Sequence, residues 1–128
     1  MKVKRFNKIV EDTLHECKSV LVKKEVEYAT EVDRFDNFKR AAEIKGTTPI
    51  EAAAGMMVKH EESMWKMINN PDMVTEKLLK DKLGDLINYI LLIKGLMVEH
   101  MEKAQVNPVN VFPKSSFKNI PEVGVHGK

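Results

Sequence analysis

Three groups of polar residues sit inside or beside apolar stretches, where their chemistry would count most. The first is Asp81, Asp85 and Asn88, at the edge of and within the most apolar part of the chain, residues 86–98. At helical spacing Asp81 and Asp85 lie one turn apart and share a face, Asn88 continues that face, and Gly84 leaves room for close approach. A carboxylate set among leucines is expensive to desolvate alone. Asp85 is therefore expected to meet a cation, either a metal ion or Lys59 or Arg34 in a plain salt bridge.

The second group is Lys59-His60-Glu61-Glu62-Ser63. Lys59, Glu62, Ser63 and Lys66 can share a helix face. Glu61 and Glu62, joined by Asp81 and Asp85, offer four carboxylates to Mg²⁺, an ion that takes oxygen ligands and is commonly shared with substrate phosphates. Such an ion polarises a phosphoryl group and activates water. The plainer reading leaves Glu61 and Glu62 as solvated surface. His60-Glu61 opens a zinc-protease pattern, but Met64 stands where its second histidine belongs, and that reading fails.

The third group is Tyr28 with Asp33-Arg34-Phe35-Asp36-Asn37-Phe38. Arg grips phosphate in a fork, aromatic rings stack on bases, and amides read base edges. These types together at a helix junction suit a nucleotide. The alternative makes Phe35 and Phe38 core anchors and Asp33 a helix cap. A Walker loop, a Rossmann fingerprint and a nucleophile elbow are all missing from the sequence.

Four helical segments are predicted to carry these groups, with no strand. In the first, residues 6–28, Phe6, Ile9, Val10, Leu14, Cys17, Val20 and Leu21 recur at three- and four-residue steps and line one face. The second, 35–45, is short and stops at Gly46. The third starts at Thr48 as cap, with Pro49 in the first turn and Glu51 in capping-box position, and runs to about 68. The segment 69–72, Asn-Asn-Pro-Asp, breaks it.

The fourth helix, 73–103, is the longest, roughly 45 Å. Between Leu83 and Met97 it is apolar almost all round, and a helix of that kind must be covered on every side. Three companions, one of them short, can hardly do so. A homo-oligomer, at least a dimer with this helix central, is expected. Residues 1–104 then form the helical ligand-binding domain. Residues 105–128, interrupted by Pro108, Pro113 and Pro121, read as an extended C-terminal arm.

Composition narrows the partners. The 128 residues carry a formal net charge of +2, with 21 basic and 19 acidic residues interleaved. A dedicated nucleic-acid surface needs a basic face in clear excess, so specific nucleic-acid binding is not expected. Residues 86–98 are too few to cross a bilayer, and Asn88 and Lys94 interrupt them, so no membrane partner is expected. With one cysteine, Cys17, the chain forms no internal disulfide, and a cytoplasmic setting is the expectation.

The order Tyr28, Asp33-Arg34-Phe35-x-Asn37-Phe38, Gly55-Met56-x-x-Lys59-His60-x-x-Ser63, Glu76-Lys77, Asp85-x-x-Asn88-Tyr89 resembles a phage-associated family, nucleotide modification associated domain 1, over residues 24–99. More distantly, Lys82-Leu83-Gly84-Asp85-Leu86 and the Glu-bearing helix before it resemble the all-α nucleoside triphosphate pyrophosphohydrolases of the MazG and dimeric dUTPase type. The second resemblance implies a four-helix, oligomeric MazG-like bundle and Mg²⁺-dependent release of pyrophosphate. Against that pattern, Trp65 occupies the last acidic place of Glu61-Glu62-x-x-Trp65, and Lys82 the first acidic place of Lys82-x-x-Asp85.

A lysine in a metal-ligand place opposes a cation and suits a phosphate. The first functional reading is therefore a protein of phage type that binds or sequesters a nucleotide, modified and cyclic signalling nucleotides included, with little or no hydrolysis. Its ligand residues would be Tyr28, Arg34, Phe35, Asn37, Lys59, His60, Ser63, Lys82 and Asn88. The second is a true pyrophosphohydrolase using Mg²⁺ on Glu61, Glu62, Asp81 and Asp85. The third is a helical protein-interaction module.

Overall fold

A computed structural model describes residues 1–28 and 33–106, with the side chains of 24–28 excepted. Among the described residues every regular element is helical: α1 (Val3–Tyr28), α2 (Asp36–Lys45), α3 (Pro49–Asn69), a 3₁₀ turn (Pro71–Met73), α4 (Glu76–Leu78), a π-helical turn (Leu79–Leu83) and α5 (Gly84–Val106). The chain divides into two compact units, Met1–Met97 and Val98–Lys128. The expected arm from 105 onward lies outside the described residues, apart from Gln105 and Val106, which close α5.

Local signals explain most helix ends. Gly46 adopts φ 67°, ψ 34°, the left-handed conformation that glycine reaches without Cβ strain, and its N–H donates to the Ala42 carbonyl to finish α2. At the start of α3 the Glu51 N–H donates to Thr48 Oγ1 (3.1 Å), and the Thr48 N–H donates to Glu51 Oε1 (3.3 Å). Two donors that the helix itself cannot satisfy are thus met reciprocally.

The last helical run differs from expectation in two ways. It begins at Glu76 rather than at 73, because Thr75 caps it: the Leu78 N–H donates to Thr75 Oγ1 at 3.2 Å. It also passes through a π-helical turn at Leu79–Leu83 before becoming regular at Gly84. Such a turn inserts extra residue into the helical repeat, so positions before Gly84 are out of register with the face that α5 presents.

The core joins α2, α3 and α5. Phe38, Ala53 and Leu96 are its buried centre, with Phe35, Ile50, Met56, Tyr89, Leu92 and Ile93 packed around them. Phe35 enters over Gly95, where an added Cβ would stand 2.7 Å from the ring Cζ. Close approach therefore occurs at Gly95. At Gly84, where it was expected, an added Cβ would meet nothing within 4 Å.

Among the described residues, coverage of the apolar helices is incomplete. On α5, Leu86 and Leu96 are buried, but Ile90 is 54% exposed, and Leu91 and Met97 are also exposed. On α1, Cys17 is buried and Ile9 and Leu21 half-buried, whereas Phe6 and Leu14 are 56% and 55% exposed. Hydropathic periodicity identified the stripes but not which of their members this chain covers.

The two glycines give opposite expectations. Gly84→Ala raises stability by about 0.5–1 kcal/mol through backbone entropy. Gly95→Ala lowers it by about 1–3 kcal/mol, because its methyl group overpacks against Phe35. Urea unfolding of both variants checks this, and effects of equal sign contradict it.

Candidate functional site

Four helices and one turn build a cavity of about 280 Å³, lined by Val20 and Leu21 from α1, Arg34 from the turn before α2, Asn37 and Phe38 from α2, Lys59 and His60 from α3, and Asp85, Asn88, Tyr89 and Leu92 from α5. The α5 contribution follows a single rule: positions 85, 88, 89 and 92 are spaced i, i+3, i+4, i+7 and fall on one helix face. The volume stands near the lower end of small-ligand pockets.

Arg34 is held in the turn that Asp33 organises. Asp33 Oδ1 accepts the Phe35 N–H at 3.0 Å, an Asx turn, while its other oxygen accepts from Lys39 Nζ. With Asp33 engaged by Lys39, Arg34 is left half-buried at the cavity wall. Lys59 is exposed, at the cavity mouth. Among the described residues neither cation has a carboxylate partner. The salt bridges that Arg34 and Lys59 were offered with Asp85 do not form. Asp85 instead lies 3.7 Å, Oδ2 to Nδ1, from His60.

Asp85 is not deeply buried either: its side chain is 46% exposed, so water screens the charge and no fixed cation is required. His60 is buried and its ring stacks on Tyr89, centroids 5.1 Å apart at 31°. Asn88 is also buried, and its Oδ1 has no hydrogen-bond partner among the described residues.

Asp85 acts electrically on its surroundings. Burial pushes the Tyr89 phenol above its ordinary value, and the Asp85 charge adds to that push. Burial likewise raises the Cys17 thiol, helped by Glu16 and then Asp85, and Cys17 Sγ lies 3.8 Å from the Gly84 carbonyl. Cys17 is therefore a neutral packing group rather than a nucleophile.

The cavity gathers Arg34, Asn37, Lys59, His60, Asn88 and Asp85 from the residues expected by type and spacing. Others are placed elsewhere. Phe35 is a core residue over Gly95 and does not line the cavity. Ser63 Oγ donates to the Lys59 carbonyl at 3.0 Å, bonding back along its own helix. Lys82 and Asp81 lie in the π-helical turn, out of register with the cavity face, and Asp81 is exposed. Glu62 is exposed and Glu61 half-buried, and neither lines the cavity. The Tyr28 side chain lies outside the described residues.

Among the described residues, Glu61, Glu62, Asp81 and Asp85 do not converge, and no group of three or more His, Cys, Asp or Glu side chains is arranged to hold a metal ion. No described helix is long and apolar enough to cross a membrane. Tyr89, Leu92, Val20 and Leu21 join the cavity although type alone did not single them out. Tyr89 and Leu92 were reachable from the i, i+3, i+4, i+7 register of α5, whereas Val20 and Leu21 looked like any apolar helix positions. No protein-family model matches the chain, and none of the curated proteins or solved structures matches it.

The raised Cys17 and Tyr89 groups make stability sensitive to alkali. Both stay protonated in the folded state at pH values where the unfolded thiol and phenol, ordinarily near 9.0 and 10.0, have ionised. The folded state then holds more protons, so stability falls as pH rises. The contribution is complete below about pH 9 and is lost as pH climbs through the raised values. Melting curves between pH 7 and 10.5 are expected to show this loss, and Cys17→Ala with Tyr89→Phe to reduce it. An unchanged slope in the double variant contradicts the assignment.

Proposed function

We propose that this chain binds a phosphorylated nucleotide in the cavity between α1, α2, α3 and α5, on an all-helical scaffold of MazG-like type. The observation that carries the reading is the pair Arg34 and Lys59, two cations on one cavity wall and mouth without carboxylate partners among the described residues. An arginine fork and a lysine point charge are the complementary means of holding phosphate. Asn37 and Asn88 supply amides for a base edge, and Tyr89 supplies a flat face for stacking.

Binding fits better than metal-driven hydrolysis. Of the four carboxylates considered for Mg²⁺, Asp85 alone lines the cavity, and the described residues do not build a magnesium site from the set. A ligand phosphate is then neutralised by the protein's own cations. Modified and cyclic nucleotides fall within the class of ligand proposed.

A separate observation supports self-association. Ile90, Leu91 and Met97 on α5, and Phe6, Val10 and Leu14 on α1, remain exposed on helices whose other apolar residues are packed. A second copy of the chain, offering the same two stripes, is the occupant that would cover them. Light scattering at micromolar concentration is expected to give at least a dimeric mass, and a monomeric mass overturns this part of the reading.

The ligand is tested by titrating the full chain with linear and cyclic nucleotides, with and without Mg²⁺, and analysing what is recovered. Intact nucleotide is expected back, with Arg34→Ala and Lys59→Ala each weakening binding by roughly tenfold or more. Release of pyrophosphate would move the reading to hydrolysis. Absence of binding across the panel would leave a helical interaction module.

A further inference from the structure

One polar side chain that lines the cavity carries a buried acceptor with a requirement that phosphate cannot meet. Asn88 is 7% exposed and lines the cavity from α5, yet its Oδ1 accepts no hydrogen bond among the described residues. Buried carboxamides are nearly always satisfied, and an orphaned acceptor in a native interior calls for an explanation. The oxygen needs a donor. A phosphate group at neutral pH offers essentially acceptors, so the phosphate end of a ligand cannot fill this role.

The position of Asn88 indicates which part of a nucleotide can. One turn earlier on the same face is Asp85, whose charge repels phosphate. The next residue is Tyr89, stacked with His60, and Leu92 follows one turn from Asn88. Asn88 is thus bracketed by an aromatic pair and an aliphatic side chain, surroundings that accept the flat face of a heterocycle. Arg34 and Lys59, the phosphate-holding groups, come from the α2 turn and α3. A carboxamide presents one acceptor beside donors, the pattern that pairs with a base edge carrying an N–H and a ring or carbonyl acceptor.

We propose that Asn88 is the base-reading residue of the cavity, and that its ligands are nucleotides whose base presents an N–H donor to Asn88 Oδ1. This inference rests on the nucleotide-binding reading above but can fail separately. Three alternative fillers of the same acceptor (a sugar hydroxyl, a bound water, or no ligand group at all) predict no dependence on the base.

The test measures equilibrium binding of the full-length wild-type chain and Asn88→Leu to the four nucleoside monophosphates and to ribose 5-phosphate, which keeps sugar and phosphate but lacks the base. Wild type is expected to bind at least one nucleotide roughly tenfold or more tightly than ribose 5-phosphate. Asn88→Leu, of similar volume but without the amide, is expected to bring the two within about threefold. A second measurement needs no variant: methylating the N–H groups of the preferred base is expected to weaken binding to wild type by at least tenfold.

Base discrimination that survives in Asn88→Leu, or wild-type binding indifferent to the methylated base, overturns the role of Asn88 while leaving nucleotide binding intact. Equal losses for nucleotide and ribose 5-phosphate overturn it too, assigning Asn88 to the sugar or to structure. Failure of wild type to bind any nucleotide or ribose 5-phosphate removes both this inference and the reading beneath it.

Discussion

The packing of Phe38 against Ala53 and Leu96, with Phe35 laid over Gly95, is the constraint from which the rest of the architecture follows. It ties α2 to α3 and α5 through side chains that have no hydrogen bonds to steer them, so shape complementarity alone sets their register. Once that register is set, Arg34 and Asn37 flank the anchored rings, Lys59 and His60 stand above Met56 on α3, and Asp85, Asn88 and Tyr89 lie two to three turns before Leu96 on α5. The cavity is the space these anchored helices leave between their polar flanks. Gly95 permits this, since no larger residue could occupy its place without moving the Phe35 ring.

Electrostatics then decide what such a space can hold. Two cations without carboxylate partners among the described residues face one carboxylate, and that carboxylate is half in water beside a histidine. A cavity with this balance favours an anion, and its aromatic and amide lining favours one attached to a planar polar group. The local pairing supports the arrangement: Asp33 is occupied by the Phe35 N–H and by Lys39, which keeps the adjoining acidic residue from neutralising Arg34. Tyr89, held protonated by burial and by the Asp85 charge, adds no further negative charge to the cavity at neutral pH.

Much of the helical architecture was legible from short-range chemistry. Thr48, Pro49 and Glu51 specify the start of α3 within four residues, and Gly46 specifies the end of α2, because capping depends on neighbours in the chain. The cavity residues on α5 were legible in part, since Asp85 and Asn88 are conspicuous in an apolar helix. The π-helical turn was not, because no residue type in Leu79–Leu83 marks it. That single feature explains why Asp81 and Lys82, one turn from Asp85 on paper, do not join it.

Phe35 and Phe38 show the other limit of sequence reading. Aromatic residues beside an arginine suit a base-stacking site and a core equally well, and here Phe35 serves the core while the buried Phe38 also borders the cavity. Gly95, one glycine within a long helix, carried no local mark of the ring packed on it. The most direct measurement of the central claim is a crystal structure of the full chain grown with its tightest-binding nucleotide. Phosphate oxygens are expected within hydrogen-bond reach of Arg34 and Lys59. A ligand bound elsewhere, or Arg34 and Lys59 closed onto carboxylates across a collapsed cavity, would contradict it.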